Sequence, residues 1–154
     1  MILFFTLFCF LKFYVMMLIG TTLIPLFGLP KLYMGTHPWS TVPLVLSTAF
    51  CATTYGYLVG NIFKTANQAM PVGAIFTVIL ASLGGIWVPL EILPPIMTSV
   101  AKFTPMYWAF NGVSNIFLRG QGLSDVWLPI VIMLFSGCVM TLISSFISRR
   151  RIVN

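Results

Sequence analysis

The chain has 154 residues, 59% of them hydrophobic and 6% charged, with a mean hydropathy of +1.04. A soluble domain carries about 25% charged residues, so this composition excludes an ordinary soluble fold and marks a membrane protein. The formal net charge of +6 is accompanied by no basic-aromatic face suited to nucleic acid, and it reads instead as topology and anionic-lipid contact.

A helix needs roughly 20 apolar residues to cross a ~30 Å hydrocarbon core. Four stretches qualify in chain order, at residues 13–30, 41–63, 69–90 and 126–148. The first has an alternative start nearer Leu3. The leading "MILFFTLFCFLK" has no basic residue ahead of its apolar run and no small-residue cleavage site, so it does not read as a removable signal peptide. Lys12 in the middle of one long span would cost about 2.5–3.5 kcal/mol. The expectation is therefore that Lys12 lies at the inner interface, with residues 1–11 along or re-entering the membrane as an apolar leader that something normally precedes.

Orientation follows from the cations, because cytoplasmic loops retain Lys and Arg. Arg149, Arg150 and Arg151 close the last span, Lys64 lies between the second and third, and Lys12 stands at the first. These make five of the eight cations on one side. Lys31, Lys102 and Arg119 fall on the other side with both acids, Glu91 and Asp125. The predicted protein is a multi-pass protein of a bacterial inner (plasma) membrane with a cytoplasmic C-terminus. Cys9, Cys51 and Cys138 all lie in apolar segments and form no disulfide framework.

Small residues recur every fourth position in two spans. Thr48, Ala52, Gly56 and Gly60 do so in the second, and Ala69, Gly73, Thr77, Ala81 and Gly85 in the third. Such stripes let helices approach closely in a membrane. Each is a candidate seam, for packing within the chain or for a dimer.

The third span ends in "GGIWVPLEILPP". Gly84 and Gly85 weaken the helix and Pro89 blocks its regular continuation, so it should kink or stop there. Pro94 and Pro95 suit the first turn of a short helix over 92–102. A second short helix is predicted over 105–119, with Thr104 as N-cap, Pro105 at its first position and Gly120 as its stop. On it Met106, Phe110, Val113 and Phe117 share one face, while Asn111, Asn115 and Arg119 share another. Broken helices at membrane depth are tolerated where protein or a wet cavity surrounds them, and in transporters they mark the substrate path. The break at Gly84–Gly85 is read as building a lid. The bland readings stand beside it: Glu91 hydrated or paired with Lys102, Tyr107, Trp87 and Trp108 as interfacial anchors, and the prolines as architecture.

An enzyme would need a nucleophile with a base, paired carboxylates or a metal cluster. The sole histidine, His37, and two distant acids supply none of these, so no catalytic or metal site is predicted. A channel is disfavoured because no span carries a polar ring of its own.

The order "TANQAM", an apolar span, "LGGIWVPLEILPPIM", "AKFTPMYWAFNGVSNIFLRGQGLSDV" and a last span closed by "RRR" resembles the C-terminal half of an ABC-2 type transporter permease, over roughly residues 12–151. The resemblance implies an all-α membrane protein with about four transmembrane helices and a pair of short extracellular re-entrant or interfacial helices. It also implies a second permease half, homo- or heterodimeric, and a separate ATP-binding ABC subunit. No phosphate-binding "GXXXXGK" occurs, so ATP would act only through that subunit. The family's first two spans and its cytoplasmic coupling helix have no counterpart in this sequence. The expected function is export through a path closed by the outer helices, with the third span pairing across a two-fold axis. The alternative is a non-transporting small membrane protein, or a truncated permease fragment, with a structural or regulatory role.

Overall fold

The computed structural model describes residues 1–23, 38–63, 65–87, 92 and 94–153. Lys31, His37, Lys64, Pro89 and Glu91 lie outside the described residues. The described chain is helical throughout its regular structure: α1 (Ile2–Thr22), α2 (Thr41–Ile62, entered by a 3-10 turn at Pro38–Ser40), α3 (Ala66–Leu83), α4 (Pro95–Ala101), α5 (Pro105–Phe117) and α6 (Leu123–Val153). Four of these, α1, α2, α3 and α6, are long and apolar enough to cross a membrane. The protein is an all-α, multi-pass membrane protein with two short helices between its last two spans.

The first helix differs from the expectation. Residues 2–11 hold no proline or glycine, so nothing interrupts the helix and α1 runs unbroken from Ile2 to Thr22. It lies antiparallel to α2. Met1 and Ile2 share a cleft with Gly60 and Asn61 at one end, and the Tyr14 hydroxyl lies 3.2 Å from Thr41 Oγ1 toward the other. The first eleven residues are thus half of a span, and Lys12 sits midway along it, exposed, where its aliphatic stem can run along the apolar surface.

The third span also has other limits. It begins at Ala66, three residues early, because Thr65 is extended (φ −131°, ψ 148°) and the polar Asn67 and Gln68 form its first turn. It ends at Leu83, seven residues early. Gly85 adopts φ 85°, and the Ile86 N–H donates to the Ala81 carbonyl at 3.2 Å. This is the glycine-terminated bond pattern that closes a helix from within, so the chain leaves α3 before Pro89 is reached. The last span runs longer than 126–148. α6 has 31 residues, about 46 Å at 1.5 Å per residue, and carries the Arg149–Arg151 run in its final turns.

α2 is the hub, packing on α1, α3, α5 and α6, and its longest interface is with α6. Gly137 makes that approach close: a Cβ there would lie 2.7 Å from the Phe50 ring. Polar side chains tie the same two helices. Cys51 Sγ lies 3.2 Å from Ser136 Oγ, and Asn61 Nδ2 donates to Ser144 Oγ at 2.7 Å, as is usual between membrane helices. At the opposite end from Asn61, Leu44, Ile116 and Val126 form a buried apolar cluster with Val113, Phe117 and Ile130 around it.

Candidate functional site

Prolines and glycines punctuate the segment between α3 and α6. Pro94 is extended (φ −56°, ψ 149°) and Pro95 opens α4. Pro105 likewise opens α5, where its missing N–H leaves no helical bond unmade. Thr104 occupies the N-cap position, but its hydroxyl donates backwards to the Ala101 carbonyl at 2.7 Å and does not cap the α5 backbone. The Trp108 indole N–H donates to the Lys102 carbonyl at 2.7 Å. Together these bonds fasten α4 to α5 through a tight corner. At the other end α5 stops at Phe117, two residues short of the expected 119, and Gly120 adopts φ 63° in the turn beyond it.

α5 is not laid flat on the bundle. Its C-terminal half packs Ile116 against Leu44 and Val126, and Gly112 brings it close: a Cβ there would lie 2.7 Å from Leu44 Cδ1 and 3.3 Å from Pro129 Cβ. Its first turn, with Pro105, Met106 and Ala109, lines a cavity together with Cys51 and Met133. Those two residues lie seven positions beyond Leu44 on α2 and Val126 on α6, about 10 Å along each helix. α5 therefore climbs between α2 and α6 from a deeper level of the bundle.

The cavity beneath α5 has a volume of about 300 Å³ and draws on four helices, with Thr48 and Tyr55 from α2 and Thr77 and Leu80 from α3. Its hydroxyls are turned to helix backbone. Thr48 Oγ1 donates to the Leu44 carbonyl at 2.8 Å, and Thr77 Oγ1 and the Tyr55 hydroxyl both donate to the Gly73 carbonyl, at 2.7 and 3.4 Å. With those donors occupied, the wall presents mainly carbon and sulfur, which suits an apolar portion of a guest.

The double glycine divides two tasks. Gly85 supplies the left-handed turn, while Gly84 allows close approach: a Cβ on it would lie 2.9 Å from Met106 Cβ. The third-span stripe faces the chain's own interior. Ala81 and Gly85 are buried, Gly73 would meet Val59 Cγ1 at 3.2 Å, and Thr77 lines the cavity. The two-fold pairing expected through this stripe therefore has no free surface at Ala81 or Gly85. On α2 the stripe turns outward along the helix: Thr48 and Ala52 border the cavity, while Ala52, Gly56 and Gly60 are exposed and line a cleft against α1.

The polar stripe of α5 is a ladder. Asn115 Nδ2 donates to Asn111 Oδ1 at 3.0 Å, and Arg119 Nη1 donates to Asn115 Oδ1 at 3.2 Å. Asn115 is only 8% exposed while Arg119 is exposed, so the stripe runs from the helix interface to the surface and is not a uniformly wet face. Phe110, expected on the apolar face, is exposed. Arg149 is exposed on α6. Sequence reading missed Cys51, Leu80, Ala109 and Met133 as cavity-lining residues, and it missed Gly112 as a packing contact. A glycine inside an otherwise good helix was the one available signal.

The profile of the ABC-2 family transporter proteins matches residues 1–146. The chain belongs to the ABC-2 transporter family. The match starts at residue 1, eleven residues ahead of the region in which the resemblance was expected, consistent with α1 being a single span. Two relatives come from Bacillus subtilis (strain 168). The linearmycin resistance permease protein LnrN is 26% identical over 90 residues, covering 58% of this chain and 23% of LnrN. YvfS, named as a transport permease, is 26% identical over 136 residues, covering 86% of this chain and 54% of YvfS. The chain thus spans about half or less of the relatives it matches. No solved structure matches it. Membership of this family accords with the four helices long and apolar enough to cross a membrane.

Proposed function

We propose that this chain is the permease part of an ATP-driven exporter, in which a partner half completes the substrate path and a separate ATP-binding subunit hydrolyses ATP. The observation that carries the reading is the placement of α5: it climbs between α2 and α6, and its first turns line an apolar cavity of about 300 Å³ to which four helices contribute. α4 and α5 act as the lid, hinged where α3 ends at Gly84 and Gly85. The end of α6 that carries the Arg149–Arg151 run faces the cytoplasm of a bacterial inner membrane, so the lid lies at the outer side.

The apolar wall favours a guest that is itself partly apolar, and the name of LnrN, a resistance permease, fits removal of a harmful compound of that kind. The test is co-purification of the tagged chain from its native membrane in mild detergent, with mass spectrometry of what accompanies it. Recovery of an ATP-binding subunit supports the reading. Recovery of the chain alone overturns it in favour of a structural role.

A further inference from the structure

We propose that the flank of α1 carrying Lys12 is a docking face for a transmembrane helix that these 154 residues do not include, one that holds an Asp or Glu near the middle of its own span. α1 runs from Ile2 to Thr22, so Lys12 stands at its centre, about 15 Å from each end. Thr6, Phe10 and Gly20 mark the covered side of the helix. Lys12 projects about 120° around the helix from them, and it is exposed, as are its neighbours Phe8, Val15 and Met16.

Charge selects the occupant. An ammonium group at the middle of a span is costly unless something pairs with it. The stem of a lysine reaches about 6 Å, well short of either end of α1, so snorkelling alone does not bring the charge to water. The chain's own two acids are not carried at that depth. Asp125 stands in the first turn of α6, and Glu91 falls in sequence between α3 and α4. A carboxylate on a neighbouring span neutralises Lys12 where it stands, which is how ionisable groups inside membranes are accommodated.

The surroundings of Lys12 suit a helix. Cys9, three positions earlier on the same flank, lines a cleft whose other wall is Ala52, Gly56 and Gly60 of α2. A Cβ on Gly56 or Gly60 would meet nothing within 4 Å, and small residues at four-residue spacing let a further helix come close. A second copy of this chain does not answer the charge. Two copies paired through this flank about an axis along the membrane normal would set Lys12 against Lys12, with like charges repelling in a medium of low dielectric constant. The inference rests on α1 crossing the membrane and not on export, so failure of the permease reading leaves it standing.

The test places the photoreactive residue p-benzoylphenylalanine at position 8 of the full chain in its native membrane and identifies the cross-linked peptide by mass spectrometry. The expected product joins position 8 to an apolar span that holds Asp or Glu. Lys12→Glu should lower its yield about tenfold, and changing that acid to Lys in the same cells should restore it. Lys12→Gln, which adds no opposing charge, should lower the yield as well and covers the case in which the Lys12→Glu chain fails to insert. The same probe at position 10, on the covered side, should react within the chain and reports that each variant is folded. Adducts to phospholipid alone would overturn the proposal, as would cross-links to a second copy of the chain or to a span without an acid. So would a yield that neither Lys12 substitution changes, or the lack of any adduct at position 8 while position 10 reacts.

Discussion

Gly84 and Met106 meet where the third span ends and α5 begins: a Cβ added to Gly84 would lie 2.9 Å from Cβ and 3.0 Å from the carbonyl carbon of Met106. Neither neighbour is the end of a flexible side chain, so neither can swing aside. Gly84→Ala should separate α3 from α5 and destabilise the protein by about 1–3 kcal/mol, the usual range for overpacking. A thermal melt in detergent, followed by size-exclusion recovery of the folded chain, checks this. An unchanged melt would mean that the two helices are not in register as described.

Gly85 makes a different prediction, because its constraint is conformational. At φ 85° an alanine costs about 1–2 kcal/mol, and asparagine, which visits the left-handed region more readily, costs less. The order of melting temperatures should be wild type, then Gly85→Asn, then Gly85→Ala. If alanine and asparagine melt alike, the left-handed closure of α3 is not what glycine serves there.

Gly112 and Leu44 should be coupled. The atom that a Gly112 Cβ would strike is Leu44 Cδ1, at 2.7 Å, which is the end of a side chain that Leu44→Val shortens. Gly112→Ala should therefore cost more in the wild type than in the Leu44→Val background, with a coupling of about 0.5–3 kcal/mol. Strict additivity of the two changes in denaturant melts would remove α5 from its seat on α2.

Asn61 and Ser144 link α2 to α6 through a 2.7 Å hydrogen bond. Bonds of this kind between membrane helices average about 0.6 kcal/mol and reach about 1.7, so an Asn61→Ala, Ser144→Ala double-mutant cycle should return a coupling in that range. A coupling of zero would indicate that the pair is not formed in the folded protein.

Local chemistry makes part of this architecture legible in the sequence alone. Pro95 and Pro105 open their helices and Gly120 takes the left-handed turn that follows the second, because a fixed φ and a missing Cβ act on the residue itself. The end of α3 is less legible: Pro89 is the stronger sequence signal, yet Gly85 has already turned the chain. Lys12 misleads for a related reason. A cation in an apolar run reads as a boundary, but one charge on the exposed side of α1 does not break a helix whose neighbours all favour it. The direction of the small-residue stripes is not legible, since four-residue spacing is the same whether the stripe meets its own chain, as at Ala81, or an open cleft, as at Gly56. Nor is the cavity, whose lining joins Thr48, Thr77, Ala109 and Met133 from four separate helices.

The central claim is that α5 closes a cavity that opens during export, and Cys51 stands in that cavity as a native reporter. Cys9 and Cys138, both exposed, are replaced by Ala, and the chain is assembled in vesicles with the ATP-binding subunit that the proposal requires. The rate at which a membrane-impermeant methanethiosulfonate modifies Cys51 is then measured with and without ATP turnover. A lid formed by α5 predicts protection at rest and faster modification during turnover. An equal rate in both conditions would contradict it.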